Sequence, residues 1–259
     1  MKDLVLKITA MISYIAMVAV NFMANSLPIN DRSTGEISDA YTNLFAPAGL
    51  TFAIWGVIYL LLAGFVVYLF LNKENKNEEL FRKINPLFIA TSIANISWIF
   101  AWHYDYIGIS LLIMVALLVL LIRIADILRK EHFVSMDKLL IRAPFSIYFG
   151  WITVATIANV TVFLVSVGWD GFGIDEYIWT VIILPVGALI GILRTLRDKN
   201  FLYGLVFVWA YLGILIKHVS SAGFDGQYQS VIVTVIICLL LFLFFVGKVF
   251  SSKITDAQN

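Results

Sequence analysis

The sequence predicts an all-α integral membrane protein with eight transmembrane helices. Three observations predict this class: eight long apolar runs, polar breakers between them, and a marked asymmetry of charge. Of the 259 residues, 61% are hydrophobic and only 14% are charged, whereas a soluble domain carries about 25% charged residues. So few polar groups cannot cover the surface of a soluble protein. Soluble globular, disordered and basic nucleic-acid-binding proteins are therefore excluded, and no nucleic-acid partner is expected.

Each apolar run is long enough to cross a bilayer. A spanning helix needs about 20 apolar residues, because the hydrocarbon core is about 30 Å thick. The runs cover residues 8–25, 47–71, 85–103, 107–128, 141–167, 177–196, 201–219 and 229–250. One helix over 85–128 would be about 65 Å long, so the polar tetrad 103–106 is predicted to be a turn. For the first run, a cleaved signal peptide ending near residue 26 is the alternative.

The positive charges predict the orientation of the chain. Sixteen of the 18 Lys and Arg residues fall on one side of the eight-span arrangement, and only Arg32 and Lys217 fall on the other. Because positive charge collects on the cytoplasmic side, both termini are predicted to be cytoplasmic, in the cell membrane. The longest loop on the opposite side, about residues 26–46, is acidic and is expected to act as a lid.

No catalytic or metal-binding pattern appears in the sequence. Charges lie near the ends of the spans rather than deep within them, which argues against a proton pump or voltage sensor. Cys238, the single cysteine, excludes an internal disulfide and is expected to face lipid or the core. His103 is expected to be solvated at the membrane surface, and ligation of a haem iron is the alternative.

Tryptophan and asparagine residues within the spans suggest a binding site. Trp55, Trp98 and Trp151 lie below the predicted outer face, where aromatic walls suit a flat apolar ligand. Asn95 and Asn159 lie inside spans, so each is expected to face another helix or a cavity. Ordinary packing and interhelical hydrogen bonding are the alternative interpretations. In the sixth run, Gly187 and Gly191 predict a close helix contact, either within the chain or with a second copy in a homo-oligomer.

Three segments together resemble the tryptophan-rich sensory protein/translocator protein family (TspO/MBR). They are Phe45–Tyr59, with Pro47, Phe52 and Trp55; Asn95–Phe100, with Trp98; and Pro144–Asn159, with Trp151 and Ala155. They occur in the order of that family's second, third and fifth helices. The resemblance implies a five-helix bundle over residues 1–167. Residues 168–259 would then add three helices and a short cytoplasmic tail, as in a divergent, extended branch.

The resemblance also implies a ligand. Members of the family bind tetrapyrroles, sterols and synthetic aromatic molecules in a pocket beneath the first outer loop. Carried over by motif position, the ligand-binding candidates are Pro47, Phe52, Trp55, Asn95, Trp98, Trp151, Ala155 and Asn159. A porphyrin or haem-type molecule is then expected as ligand rather than as a resident cofactor, and the partners are this hydrophobic molecule and the lipid bilayer.

Three functions are compatible with these features. The first is a sensor or carrier that binds a flat hydrophobic ligand, such as a porphyrin or a sterol-like molecule. The second is a permease-like protein or an accessory subunit of a membrane transporter, with which the three additional helices agree. The third is a porphyrin-degrading enzyme, as has been attributed to some relatives, although no acid/base pair in this sequence indicates one.

Overall fold

The structure is a computed structural model that describes residues 2–27, 29–71, 77–133 and 135–258, and these residues form helices and no strand. Within these described ranges, eight helices are long and apolar enough to cross a membrane, which confirms the predicted fold class. The helices are α1 (Lys2–Ser26), α2 (Thr34–Ala40), α3 (Ile54–Leu71), α4 (Glu78–His103), α5 (Ile107–Leu128), α6 (Ser135–Asp137), α7 (Ala143–Ser166), α8 (Glu176–Arg197), α9 (Phe201–Val219) and α10 (Gln229–Gln258). The polar breaker between the second and third runs, residues 72–75, lies outside the described residues.

The start of α4 differs from the prediction. Hydropathy placed the beginning of this span at residue 85, but the helix begins at Glu78. The extra turns are charged, and they are held by ion pairs to α1. Glu78 accepts from Lys7 at 2.8 Å, and Arg82 donates two hydrogen bonds to Asp3 at 2.7 and 2.8 Å. Hydropathy detects only the apolar part of a helix, and these charged turns precede the apolar part of α4.

The described chain packs as two compact units. The first comprises Met1–Ala40 and Ile54–Ile152, and the second comprises Tyr41–Ala53 and Thr153–Asn259. The chain enters the second unit at Tyr41, returns to the first at Ile54, and enters the second again at Thr153, within α7. The predicted domain boundary between residues 167 and 168 marks the end of the family resemblance and not a division in packing. It stays a prediction.

In the first unit, α4 is the central helix. It packs against α1 on one side and α5 on the other, while α3 also contacts α1. Residues 3 and 21 of α1 contact residues 82 and 95 of α4, so these two helices run parallel. Parallel first and third spans are required when a chain crosses the bilayer at each successive helix. Aromatic rings fill the interior between α3, α4 and α7, where Phe65 makes edge contacts with Phe88 and Phe145.

In the second unit, α8, α9 and α10 pack closely because glycine residues at their contacts have no side chain. A Cβ atom on Gly187 would lie 2.9 Å from the Tyr211 hydroxyl, and one on Gly191 would lie 2.7 Å from the Phe207 ring. The close contact predicted at these glycines is therefore found, and it lies within the chain. Cys238 on α10 is 3% exposed, so of the two expected environments it occupies the core.

The segment just before α3 is docked on α9. The Ala48 N–H donates to the Gly213 carbonyl at 3.0 Å, and the Trp209 indole N–H donates to the Thr51 carbonyl at 2.9 Å. The Thr51 side chain fills the space that a Cβ atom on residue 213 would need. Its Cγ2 lies 2.8 Å from where that Cβ would be. Only glycine at 213 allows the two backbones to approach this closely.

We expect Gly213→Ala to destabilise the protein by about 1–3 kcal/mol, because the added methyl group overlaps the fully buried Thr51 side chain. The matched control is Gly247→Ala on α10, where an added Cβ would meet nothing within 4 Å. The control should change stability by no more than about 1 kcal/mol, in the stabilising direction. Thermal unfolding of both variants in detergent measures the difference. Equal midpoints would contradict the docking of Thr51 against Gly213.

Candidate functional site

Four aromatic rings form a cluster in the first unit. Trp55 and Tyr59 both lie on α3, and their rings stack on each other, with centroids 5.5 Å apart and planes inclined by 18°. Trp55 also meets Trp151 of α7 edge-on, at 6.3 Å and 84°, and Tyr148 at 6.0 Å and 64°. The structure therefore brings together the two tryptophans predicted from the second and fifth spans. Trp151 and Tyr148 are buried, whereas Trp55 and Tyr59 are half-buried.

Asn95 connects this aromatic cluster to α1. Its Nδ2 donates to the Tyr148 hydroxyl at 3.3 Å, and its Oδ1 accepts from Asn21 Nδ2 at 2.6 Å. Asn95 has no exposed surface, and Asn21 is 6% exposed. The buried Tyr59 hydroxyl lies close to the Asn95 amide as well. Asn95 thus faces other helices, as expected, and joins α1, α4 and α7 beside the aromatic rings.

Trp98 lies one turn further along α4, in a second aromatic pair. It stacks on Trp102, with centroids 5.4 Å and planes 22° apart, and both indoles are buried. The Trp102 N–H donates to the Thr34 carbonyl at 3.2 Å. This pair therefore supports α2, the helix within the predicted lid loop.

His103 fixes the same loop and is not solvated. Its ring is fully buried, with Nε2 3.1 Å from the Thr34 hydroxyl and Nδ1 3.0 Å from the Ile29 carbonyl. The expectation of a solvated histidine is wrong, because the loop folds over the end of α4 and covers the ring. Ligation of a haem iron is disfavoured too, since both ring nitrogens already have partners. Asn30 adds a hydrogen bond to the His103 carbonyl at 2.9 Å.

Two polar contacts complete this loop. Arg32 forms an ion pair with Asp105 in the turn between α4 and α5. At the start of α2, Glu36 accepts from the Ser33 N–H at 2.6 Å, and the Ser33 hydroxyl accepts from the Glu36 N–H at 3.3 Å. This reciprocal cap lowers the pKa of the exposed Glu36 carboxyl, because both Ser33 groups favour its charged form. In the described state the loop is ordered against α4.

The remaining sequence-predicted residues lie in the second unit. Pro47 is buried and Phe52 is half-buried in the segment docked on α9. Ala155 and Asn159 lie one turn apart on α7, where Asn159 Nδ2 donates to the Ala155 carbonyl at 3.0 Å. Asn159 is 4% exposed. Ala155 and Asn159 thus share α7 with Trp151 and Tyr148 of the Trp55 cluster, whereas Pro47 and Phe52 lie in the segment before α3.

Sequence reasoning missed three members of the first-unit site. Asn21 lies in the apolar first run, and the argument applied to Asn95 would have identified it. Tyr59 closes the Phe45–Tyr59 segment, one helical turn after Trp55, a spacing that brings rings together. Tyr148 had no signal of its own, because an aromatic residue three positions before Trp151 is common in any apolar helix.

Comparison with known families shows a match over most of the chain. The model of a family described as TSPO-like protein matches residues 7–247. The match includes the last three spanning helices as well as the first five. Comparisons with curated proteins and with solved structures give no match.

We expect Asn21 and Asn95 to be coupled in their effects on stability, because their side chains share a hydrogen bond. Asn21→Ala and Asn95→Ala should each destabilise the protein, because each leaves a buried amide without its partner. The double variant should be less destabilised than the sum by about 0.5–1.5 kcal/mol, the range for hydrogen bonds between membrane helices. Unfolding of the four proteins in detergent gives the coupling.

The control for this cycle is Asn25→Ala. Asn25 is exposed one turn after Asn21, and its amide donates to the Asn21 carbonyl at 3.0 Å. The changes in unfolding free energy caused by Asn25→Ala and Asn95→Ala should add within about 0.3–0.5 kcal/mol when the two substitutions are combined. Additivity in the Asn21 cycle as well would contradict a direct bond between the two buried amides.

Proposed function

The chain belongs to the family of TSPO-like proteins, and from this premise we propose that it binds a flat hydrophobic ligand at the Trp55 cluster. The observation that supports this most directly is that Trp55 contacts three aromatic rings and stays partly exposed. A ligand can therefore stack on Trp55 while Trp151 and Tyr148, which meet the indole edge-on, fix its position. Porphyrins and sterol-like molecules have the flat shape that such a surface selects.

Polar groups behind the rings give the site a means of orienting the ligand. The Tyr148 hydroxyl accepts from Asn95 and keeps its own proton to donate. The Tyr59 hydroxyl lies beside the same amide. Both hydroxyls are buried, so a ligand reaches them only if it enters between the rings. Such a ligand would have acceptor oxygens at one edge, like the propionates of a porphyrin, because a donor to an anionic oxygen gives a stronger hydrogen bond. The site so described binds and orients, which suits a sensor or a carrier.

The test is a titration with protoporphyrin IX, followed by the Soret absorbance so that the signal does not depend on tryptophan number. We expect saturable binding that Trp55→Leu weakens about ten-fold, the size of a lost ring-stacking contact. The control is Trp169→Leu in the second unit, which should leave the affinity within about two-fold. Absence of saturable binding by folded protein would contradict the proposal, as would equal losses in the two variants.

We also propose that the protein lies in the cell membrane with both termini cytoplasmic. The distribution of Lys and Arg supports this orientation. In a Cys238→Ala background, Ala222→Cys, in the exposed loop between α9 and α10, should react with an impermeant maleimide in intact cells. Lys130→Cys, exposed after α5, should react only after the cells are permeabilised. The reverse pattern would show that the orientation is inverted.

A further inference from the structure

The second unit contains a cavity distinct from the Trp55 cluster. Its volume is about 630 Å³, which is within the range of pockets that hold drug-sized molecules. It lies among residues 42–45, the second half of α7, the turn 168–174 and the start of α8. Most of the wall is apolar, with Ile157, Val160, Leu164 and Ile183 as examples. An alkyl chain or another apolar body fits such a wall.

Hydrogen bonds hold the wall formed by residues 42–45 in place. Asn43 Oδ1 accepts from the Phe45 and Ala46 N–H groups, at 3.1 and 2.9 Å. The same oxygen accepts from the Thr161 hydroxyl of α7 at 3.3 Å. On the other side, Glu176 Oε1 accepts from the Leu44 N–H at 2.8 Å. The cavity is therefore preformed, so little ordering is needed when a ligand enters.

Two tryptophans form a corner of the cavity. The Trp169 and Trp179 rings are 5.3 Å apart and inclined by 53°, and each is half-buried. The Trp179 N–H donates to the Gly171 carbonyl at 3.0 Å, which fixes this ring against the turn. Two inclined indole faces attract a cation, because the face of an aromatic ring is electron-rich.

The charges at this corner have one sign. The carboxylates of Asp170 and Glu176 line the cavity, and its described lining includes no Lys, Arg or His. Neither carboxylate forms an ion pair with a described residue; Asp170 accepts from the Phe172 N–H at 2.9 Å, and Glu176 from Leu44. Both remain exposed at the rim. An anionic amphiphile is disfavoured there by repulsion, whereas a cationic one is attracted.

We propose that this cavity binds an amphiphile with an apolar chain and an ammonium head group. The chain packs against α7 and α8, and the ammonium group lies between the two indoles and the carboxylates of Asp170 and Glu176. The ligand is either an alkylamine or the choline or ethanolamine head group of a phospholipid, which share this chemistry. The inference rests on the cavity alone, so it does not depend on the ligand of the Trp55 cluster.

The test is calorimetric titration of decyltrimethylammonium into the full chain in nonionic micelles, with empty micelles as the blank. We expect saturable binding that Glu176→Gln weakens about ten-fold, because the glutamine keeps the acceptor for Leu44 but loses the charge. The matched control is Asp175→Asn, an adjacent exposed carboxylate outside the cavity lining, which should change the affinity less than about two-fold. Trp169→Leu should weaken binding of decyltrimethylammonium, whereas protoporphyrin affinity should stay within about two-fold of the unsubstituted protein.

Ligands with the same chain and other head groups complete the test. Decyl sulfate should not bind. Decylphosphocholine that binds with the same dependence on Glu176 would identify a phospholipid head group, whereas its failure beside decyltrimethylammonium would identify an amine without phosphate. The proposal is overturned if decyl sulfate binds as tightly as decyltrimethylammonium, or if Glu176→Gln and Asp175→Asn have the same effect in proteins with equal unfolding midpoints.

Discussion

A hydrocarbon environment offers an amide side chain no water, so an asparagine within a membrane helix must find its partners in the protein. The first unit depends on this constraint. Asn21 and Asn95 satisfy one another, and Asn95 also reaches Tyr148, so that three helices share one set of hydrogen bonds. The aromatic rings of Trp55 and Trp151 meet beside it. The polar groups that hold the helices together are therefore also the groups that give the aromatic site its polar edge.

The three last helices have a structural role that extends beyond their own packing. Gly213 on α9 admits the Thr51 side chain, and Trp209 and the Gly213 carbonyl bind the backbone of the same segment. His218 adds a contact, with its Nε2 2.9 Å from the Leu44 carbonyl. The segment so fixed leads directly into α3, which carries Trp55. The family match covers both this segment and α9, since it continues through residue 247.

Hydropathy and charge predicted the fold because the bilayer imposes one requirement on every span. Hydropathy did not predict a helix end where ion pairs, and not contact with lipid, stabilise the terminal turns. The start of α4, with Glu78 and Arg82, is the example. The site was predicted in part. Trp55, Trp151 and Asn95 were identified from their residue types at unusual depth, whereas burial of His103 depends on the path of a loop that no local pattern encodes.

The two proposed sites differ in the ligand that each can accept. The Trp55 cluster is backed by hydroxyl and amide donors and by no carboxylate among the contacts described for it, so it suits a molecule with acceptor oxygens. The cavity of the second unit has the opposite character, because Asp170 and Glu176 repel the same oxygens. A porphyrin with two propionates, the ligand proposed for the first site, would be repelled by the carboxylates of the second. As proposed, the difference in charge would therefore select two ligand classes within one chain, although both proposed sites offer tryptophan as the binding surface.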